Sequence, residues 1–257
     1  MTDRRPQSLT EFLVSAERIV VFTGAGISTG AGIPDSRGPE GVWKTRPEIS
    51  LSDYLEDPAK QERYWDFKSE DWQRLLEIQP TPAHFALVRL QELGKLRALI
   101  TQNIDGLHSR SGIAPDKLIE LHGRIDRIAC VGCGYSGEAG AWYQGFLSTG
   151  IVPDCPHCGH VLKPGVIQFG ENLRADDLRR AQEALFDVDL VLAIGSTLAV
   201  QPAATFPLMA ARMGVPYVIL NRGETAHDGL PHVSLRLEGD IQELLPAAVA
   251  DAAAMFG

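Results

Sequence analysis

Three groups of residues have the types and spacing to do chemistry. The first is sulfur. Cys130 and Cys133, then Cys155 and Cys158, form two C-x-x-C pairs with 21 residues between them. A glycine follows each pair, Gly134 and Gly159. Glycine tolerates the sharp turn that aims two thiolates at one metal. Four thiolates close a tetrahedron around Zn²⁺, which is the chemistry of a structural site. The separation lies just beyond the roughly 15–20 residues usual in a zinc ribbon. Two disulfides or a redox pair are the alternatives. A redox motif needs only one pair. Disulfides suit a secreted protein, whereas MTDRRPQSLTEFL has no apolar core or cleavage site. Zinc is the preferred reading, so His157 and His160 nearby receive no ligand role.

The second group is FTGAGISTGAGIPDSRG, Phe22 to Gly38, directly after the apolar run Arg18–Phe22. Gly24, Gly26 and Gly30 are spaced G-x-G-x-x-x-G, one residue longer than the dinucleotide fingerprint. Asp35-Ser36-Arg37 follows too early to be the acidic residue about 20 positions on that grips a ribose.

The third group is polar residues at the ends of apolar runs. They are Thr101-Gln102-Asn103-Ile104-Asp105-Gly106, Gly195-Ser196-Thr197-Leu198 and Asn221-Arg222-Gly223-Glu224-Thr225. Any one alone reads as a turn. Together with the glycine stretch they argue for a ligand crevice. His122 leaves a further apolar run on the same side as Asn103 and Asp105, which makes it a general-base candidate. His84, His108, His227 and His232 are weaker candidates.

Elements must hold these groups in place. Arg18–Phe22, Leu96–Thr101, Lys117–Leu121, Leu190–Ile194, Tyr217–Leu220 and Val233–Leu237 read as strands buried on both faces. Helical patterns lie between them: one from Thr81-Pro82 to Gly94, one from Pro202 to Gly214, and one capped by Asp240 through Val249. The alternation predicts a doubly wound parallel sheet, a Rossmann-like α/β fold. It covers residues 1–42, 79–123 and 165–257. Two insertions interrupt it: an aromatic helical module over 43–78 and the cysteine module over 124–164.

Composition sets outer bounds. A chain of 257 residues with 44% hydrophobic and 22% charged residues suits one soluble domain with insertions. The net charge is −9 and basic runs are lacking, so a nucleic-acid partner is not expected. The longest apolar run, near Leu190–Val200, is too short and glycine-broken to span a membrane. The expected location is cytoplasmic.

At this point the motifs converge. The chain resembles the sirtuins, the NAD-dependent protein deacylases. The matching stretches are GAGISTGAGIPDSRG, TPAH, TQNIDGLH, ELHG, both C-x-x-C pairs, VIQFGE, GSTLAVQPA and ILN, in the family's order over roughly Arg18 to Asp240. The resemblance implies that Gly24, Ala25 and Gly26 cradle the NAD pyrophosphate, with Ser28 near the ribose. Gln102 and Asn103 would hold the nicotinamide-side ribose, with Ile104 also against the cofactor, and Asp105 would accept from the nicotinamide amide. Asp35 and Arg37 would line a mobile loop over NAD. Gly195, Ser196 and Thr197 would approach the phosphate and adenosine half, Asn221 the adenine ribose, and Asp240 the adenine. His122 would be the base. An acyl-lysine peptide would enter as an added strand between Gln168-Phe169-Gly170-Glu171 and Leu198-Ala199-Val200. The implied products are free lysine, nicotinamide and O-acyl-ADP-ribose, with zinc remote from the chemistry. Protein mono-ADP-ribosyl transfer, or a non-catalytic NAD-sensing zinc module, are the rival functions.

Two departures bear on activity. Ser36 stands where the family carries an aromatic residue, which predicts weaker shielding of the intermediate and more nicotinamide exchange. Tyr64-Trp65-Asp66-Phe67 lacks the arginine of the branch that removes acidic acyl groups, which predicts apolar acyl chains.

Overall fold

The computed structural model describes residues 6–35 and 46–255. Six parallel strands form the main sheet: β1 (Ile19–Thr23), β2 (Leu96–Thr101), β3 (Leu118–Glu120), β7 (Leu190–Ile194), β8 (Tyr217–Leu220) and β9 (Leu235–Leu237). Their spatial order is β3-β2-β1-β7-β8-β9. The strands fall within the apolar runs of the sequence, and β1, β2, β7 and β8 have continuous or nearly continuous buried faces. Such runs require cover on both sides.

Both sides are covered. Ile19 and Val21 of β1 point into a core shared with α1 (Leu9–Ser15), α4 (Pro82–Glu92) and α9 (Ile241–Ala254). Val20 and Phe22 point the other way, toward α7 (Ala175–Ala184) and α8 (Thr205–Arg212). Burying these side chains contributes roughly 1.5–3 kcal/mol each, which outweighs weak local propensities. The helices α1 and α7 are not among the elements expected from the sequence. Buried Lys95 ties down the first of them by donating to the carbonyls of Leu13, Val14 and Ala16 at its C-terminal end.

The expected helix at Pro202 starts later, at Thr205. Both the Thr205 amide (3.0 Å) and hydroxyl (2.6 Å) bond the Pro202 carbonyl, so a tight turn precedes the first helical turn. Asp240 caps α9 as expected, its Oδ1 accepting from the Gln242 amide at 2.8 Å. The glycine stretch is not an open loop: Ala25–Ala31 wind into a 3₁₀ helix.

The cysteines sit in a second, antiparallel sheet of β4 (Gly123–Cys130), β5 (Ser136–Glu138) and β6 (Leu162–Val166), with α6 (Gly140–Thr149) alongside. Two helices, α2 (Leu51–Glu56) and α3 (Pro58–Glu77), pack on it. Trp65 and Trp72 of α3 lie 5.4 and 5.1 Å, centroid to centroid, from Tyr143 of α6. The Tyr54 hydroxyl donates to the Leu162 carbonyl at 2.6 Å. The aromatic segment and the cysteine segment therefore share one core.

Candidate active site

The order of the strands creates the crevice. From β1 the chain moves outward to β2 and β3, and from β7 it moves the opposite way to β8 and β9. The loops leaving β1 and β7 diverge, and ligands of open α/β sheets bind where this happens. The crevice there measures about 1530 Å³.

Its floor is a backbone interlock. The Gly24 amide donates to the Ile194 carbonyl at 3.0 Å, and the Gly26 amide to the Gly195 carbonyl at 2.8 Å. A Cβ at Gly24 would lie 2.7 Å from the Gly195 oxygen. Gly195 has φ +64°, and a Cβ there would lie 2.4 Å from the Ile27 nitrogen. Gly24, Ala25 and Gly26 border the crevice. The amides of both glycines go to protein carbonyls, so loop packing by itself already requires glycine at these positions.

Asn103, Asp105 and Ser28 form one cluster across this floor. Asn103 is buried, and its Nδ2 donates to the Gly24 carbonyl (3.2 Å) and to Ser28 Oγ (3.3 Å). The Ser28 hydroxyl donates to Asp105 Oδ2 at 2.7 Å, and the Leu107 amide donates to Oδ1 at 2.9 Å. Burial raises the Asp105 pKa, while those two hydrogen bonds act in the opposite direction. Gln102 Nε2 donates to Ser196 Oγ at 2.8 Å and so joins the β2 and β7 loops. Ile104 lines the crevice beside them, its carbonyl accepting from Ile125 at 3.0 Å.

His122 follows β3 and lines the same crevice. Its Nδ1 lies 3.0 Å from the Gln102 carbonyl. A carbonyl only accepts, so Nδ1 carries the proton and Nε2 is the basic nitrogen. Burial lowers the pKa of His122; the Gln102 bond opposes this less strongly. The ring is a neutral base with a fixed tautomer.

The remaining expected positions divide. Asp35, Thr197, Asn221, Asp240, Gln168, Phe169, Gly170, Glu171 and Val200 all line the crevice. Asn221 uses its Nδ2 on the carbonyls of Arg222 and Gly223, both at 3.0 Å, leaving Oδ1 to accept. The side chain of Leu198 is fully buried in the core under α8, so the strand pairing expected of it falls to its backbone. Ser36 and Arg37 lie outside the described residues.

Gln242 was missed. It bridges from α9 to the glycine stretch, donating to the Ile27 carbonyl at 2.9 Å and accepting from the Ala83 amide at 3.2 Å. It is the second residue of an ordinary helix, and only its contacts across 215 residues of sequence mark it out.

The four cysteine sulfurs lie within 4.8 Å of one another. Cys130 and Cys158 are 3.4 Å apart, and Cys133 and Cys155 3.7 Å. Tetrahedral Zn–S bonds of ~2.3 Å require sulfurs about 3.8 Å apart, so the cluster fits zinc. The Gly132 and Cys133 amides point at Cys130 Sγ at 3.3 and 3.4 Å, as donors to a thiolate would. Gly134 and Gly159 have φ +73° and +74°, the turn expected of them. His227 is buried against the Tyr217 hydroxyl at 3.0 Å, away from these groups.

A doubly wound sheet with a polar crevice at its switch point, carrying a four-thiolate module, defines a dinucleotide-fold protein with a structural metal site. More narrowly, the chain belongs to the Sir2 family, whose model matches residues 24–202. It is 38% identical to the NAD-dependent protein deacetylase of Rhodopseudomonas palustris, covering 93% of this chain and 94% of that one. It is 39% identical to the NAD-dependent protein deacetylase of Sulfurisphaera tokodaii, over 93% and 92% of the two chains. Among solved structures, a Sir2 protein with a p53 peptide and NAD+ superposes with a TM-score of 0.84 at 34% identity, covering 95% of this chain and 97% of that one.

Proposed function

We propose that this protein is an NAD-dependent protein-lysine deacylase that moves an acyl group from lysine to ADP-ribose and releases nicotinamide. The observation that carries this reading is His122: a neutral imidazole in the crevice, its tautomer set by Gln102, with the basic nitrogen unused by any described residue. Pure nucleotide binding has no use for such a base. NAD supplies the glycosidic bond whose cleavage drives the transfer. Asn103 and Gln102 hold the ribose next to that bond, and Asp105 accepts from the nicotinamide amide. Gly195, Ser196 and Thr197 face the phosphates and adenosine, and Asn221 Oδ1 accepts a hydroxyl of the adenine ribose. Asp240 caps α9 beside the adenine. Because an amide oxygen is a weak nucleophile, alignment contributes most of the rate. His122 then takes a ribose proton through Nε2.

The substrate is an acyl-lysine segment of a protein, lying between Gln168–Glu171 and the backbone of Leu198–Val200. Residues 1–42, 79–123 and 165–257 form the NAD domain in this reading, with inserted modules at 43–78 and 124–164. Zinc on Cys130, Cys133, Cys155 and Cys158 holds the second module together. Four metal-bound thiolates suit a reducing, cytoplasmic setting.

The test is to incubate the protein with labelled NAD and an acetyl-lysine peptide and to analyse the products by mass spectrometry. O-acetyl-ADP-ribose is expected, and His122→Ala should abolish it. ADP-ribosylated protein in its place, or no product at all, would refute the reading.

A further inference from the structure

Arg236 lies on β9 and does not itself border the crevice. Its side chain is mostly buried, and its guanidinium ties together the groups on either side of Asn221. Nη1 donates to the Asn221 carbonyl at 3.0 Å and also to the Leu237 carbonyl. Nη2 donates to the Gly223 carbonyl at 2.5 Å. Nε donates to Asp228 Oδ1 at 2.8 Å. Asp228 in turn accepts from the Thr225 amide at 3.0 Å and from the Thr225 hydroxyl at 2.6 Å. One planar fork thus reaches three carbonyls and a carboxylate, a spread of donors that a single ammonium cannot reproduce.

Two of those carbonyls also serve Asn221. The Gly223 carbonyl accepts from Asn221 Nδ2 at 3.0 Å, and the Leu237 carbonyl from the Asn221 amide at 3.1 Å. A carbonyl has two lone pairs, and in both cases Arg236 takes the other one. Asn221 is therefore held at its own carbonyl, at the partner of its amide and at the partner of its side chain. With Nδ2 committed in this way, its carboxamide has one orientation, and Oδ1 is left to accept from a ligand. Without the guanidinium, each carbonyl would have a lone pair open to water, and Asp228 would lose its cation. The stretch from Asn221 to Thr225 would then be free to shift.

We propose that Arg236 is a positioning residue for the dinucleotide: by holding the Gly223 and Leu237 carbonyls it fixes the Asn221 carboxamide, and through it the affinity for the adenosine half of NAD. This rests on the reading of the crevice as an NAD site with Asn221 on the adenine ribose; the hydrogen-bond node around Arg236 does not.

The test is calorimetry of ADP-ribose binding to the whole protein, as wild type, Arg236→Met, Arg236→Lys, Asn221→Ala and the Asn221→Ala/Arg236→Met double variant. Arg236→Met should bind roughly tenfold or more weakly, since small misplacements of holding groups cost up to about 100-fold. Arg236→Lys keeps the charge but not the fork and should recover only part of the loss. The double variant should bind no more weakly than Asn221→Ala alone, because both changes act through one group. In steady state the KM for NAD should rise, while the KM for acetyl-lysine peptide stays that of wild type. A folded Arg236→Met protein with wild-type affinity overturns the proposal. So do additive losses in the double variant, or an equal rise in the peptide KM, either of which would reduce Arg236 to general support of the fold. If Arg236→Met does not fold, Arg236→Lys takes its place in the cycle, and wild-type affinity or additivity there overturns the proposal equally. Wild-type protein that binds no ADP-ribose would refute the NAD reading and this proposal together. Protein that binds ADP-ribose and shows the coupling, but makes no O-acetyl-ADP-ribose, would refute the deacylase reading alone.

Discussion

Gly26 and Gly195 meet backbone to backbone. The Gly26 amide donates to the Gly195 carbonyl at 2.8 Å, and a Cβ on either would lie under 3 Å from the other's loop. This contact brings the ends of β1 and β7 together and so shapes the crevice from its floor.

Gly195→Ala should therefore lower both stability and NAD binding. Its φ of +64° costs a side-chain-bearing residue about 1–3 kcal/mol, and the clash with Ile27 adds to that. A total loss of roughly 2–4 kcal/mol in urea unfolding is expected. A variant within about 0.5 kcal/mol of wild type would show that the interlock yields easily.

His122 acts in its neutral form, and burial lowers its pKa. Raising the pH through that pKa converts imidazolium to base. The rate of acyl transfer should thus climb on the acid side, with a midpoint below the ordinary histidine value of about 6.5, and level off by neutrality. An acid limb centred above pH 7 would contradict this assignment.

One zinc per chain is expected by elemental analysis, and Cys155→Ser should lose it. Cys130 and Cys155 lie in the core that holds Trp65, Trp72 and Tyr143. Removing the metal should then shift tryptophan emission to the red and lower the melting temperature, with activity falling as structure is lost. Stripped protein that keeps its emission spectrum would argue against a structural metal.

Acetyl-lysine peptide should turn over about tenfold or more faster than succinyl-lysine peptide, the value of a missing charged hydrogen bond. Arg46 lines the crevice near Phe67, but Glu70 and Asp71 already bind its guanidinium, each at 2.7 Å. Lys68 lies 3.9 Å from Asp71. Both cations are thus placed beside protein carboxylates. Faster succinyl turnover would show that one of these pairs opens.

Much of the molecule was legible in the sequence, for a physical reason. Strands buried on both faces must be apolar throughout, so β7 and β8 can be read to the residue, and β2 nearly so, with Arg97 alone exposed. Thiolates that share a metal need close spacing and a turn, so the cysteine site is written locally. The polar residues after each strand were visible as a set because they interrupt apolar runs. The N-terminal helix is short, and beyond its Ser8 cap it is held by burial against α9 and by the Lys95 contacts.

Tertiary structure alone decided the rest. Only the structure shows that the Gly24 and Gly26 amides bond the end of β7 and its loop, some 170 residues away. Leu198 is expected to pair with a peptide strand, and only the fold shows that its side chain turns into the core and leaves that pairing to its backbone. Gln242 carries no local signal at all. The sequence by itself determined which segments are strands, where the metal ligands lie and which polar residues end each strand. The fold determined which of those residues face the crevice and what each hydrogen-bonding group is already committed to, because that depends on distances between segments far apart in the chain.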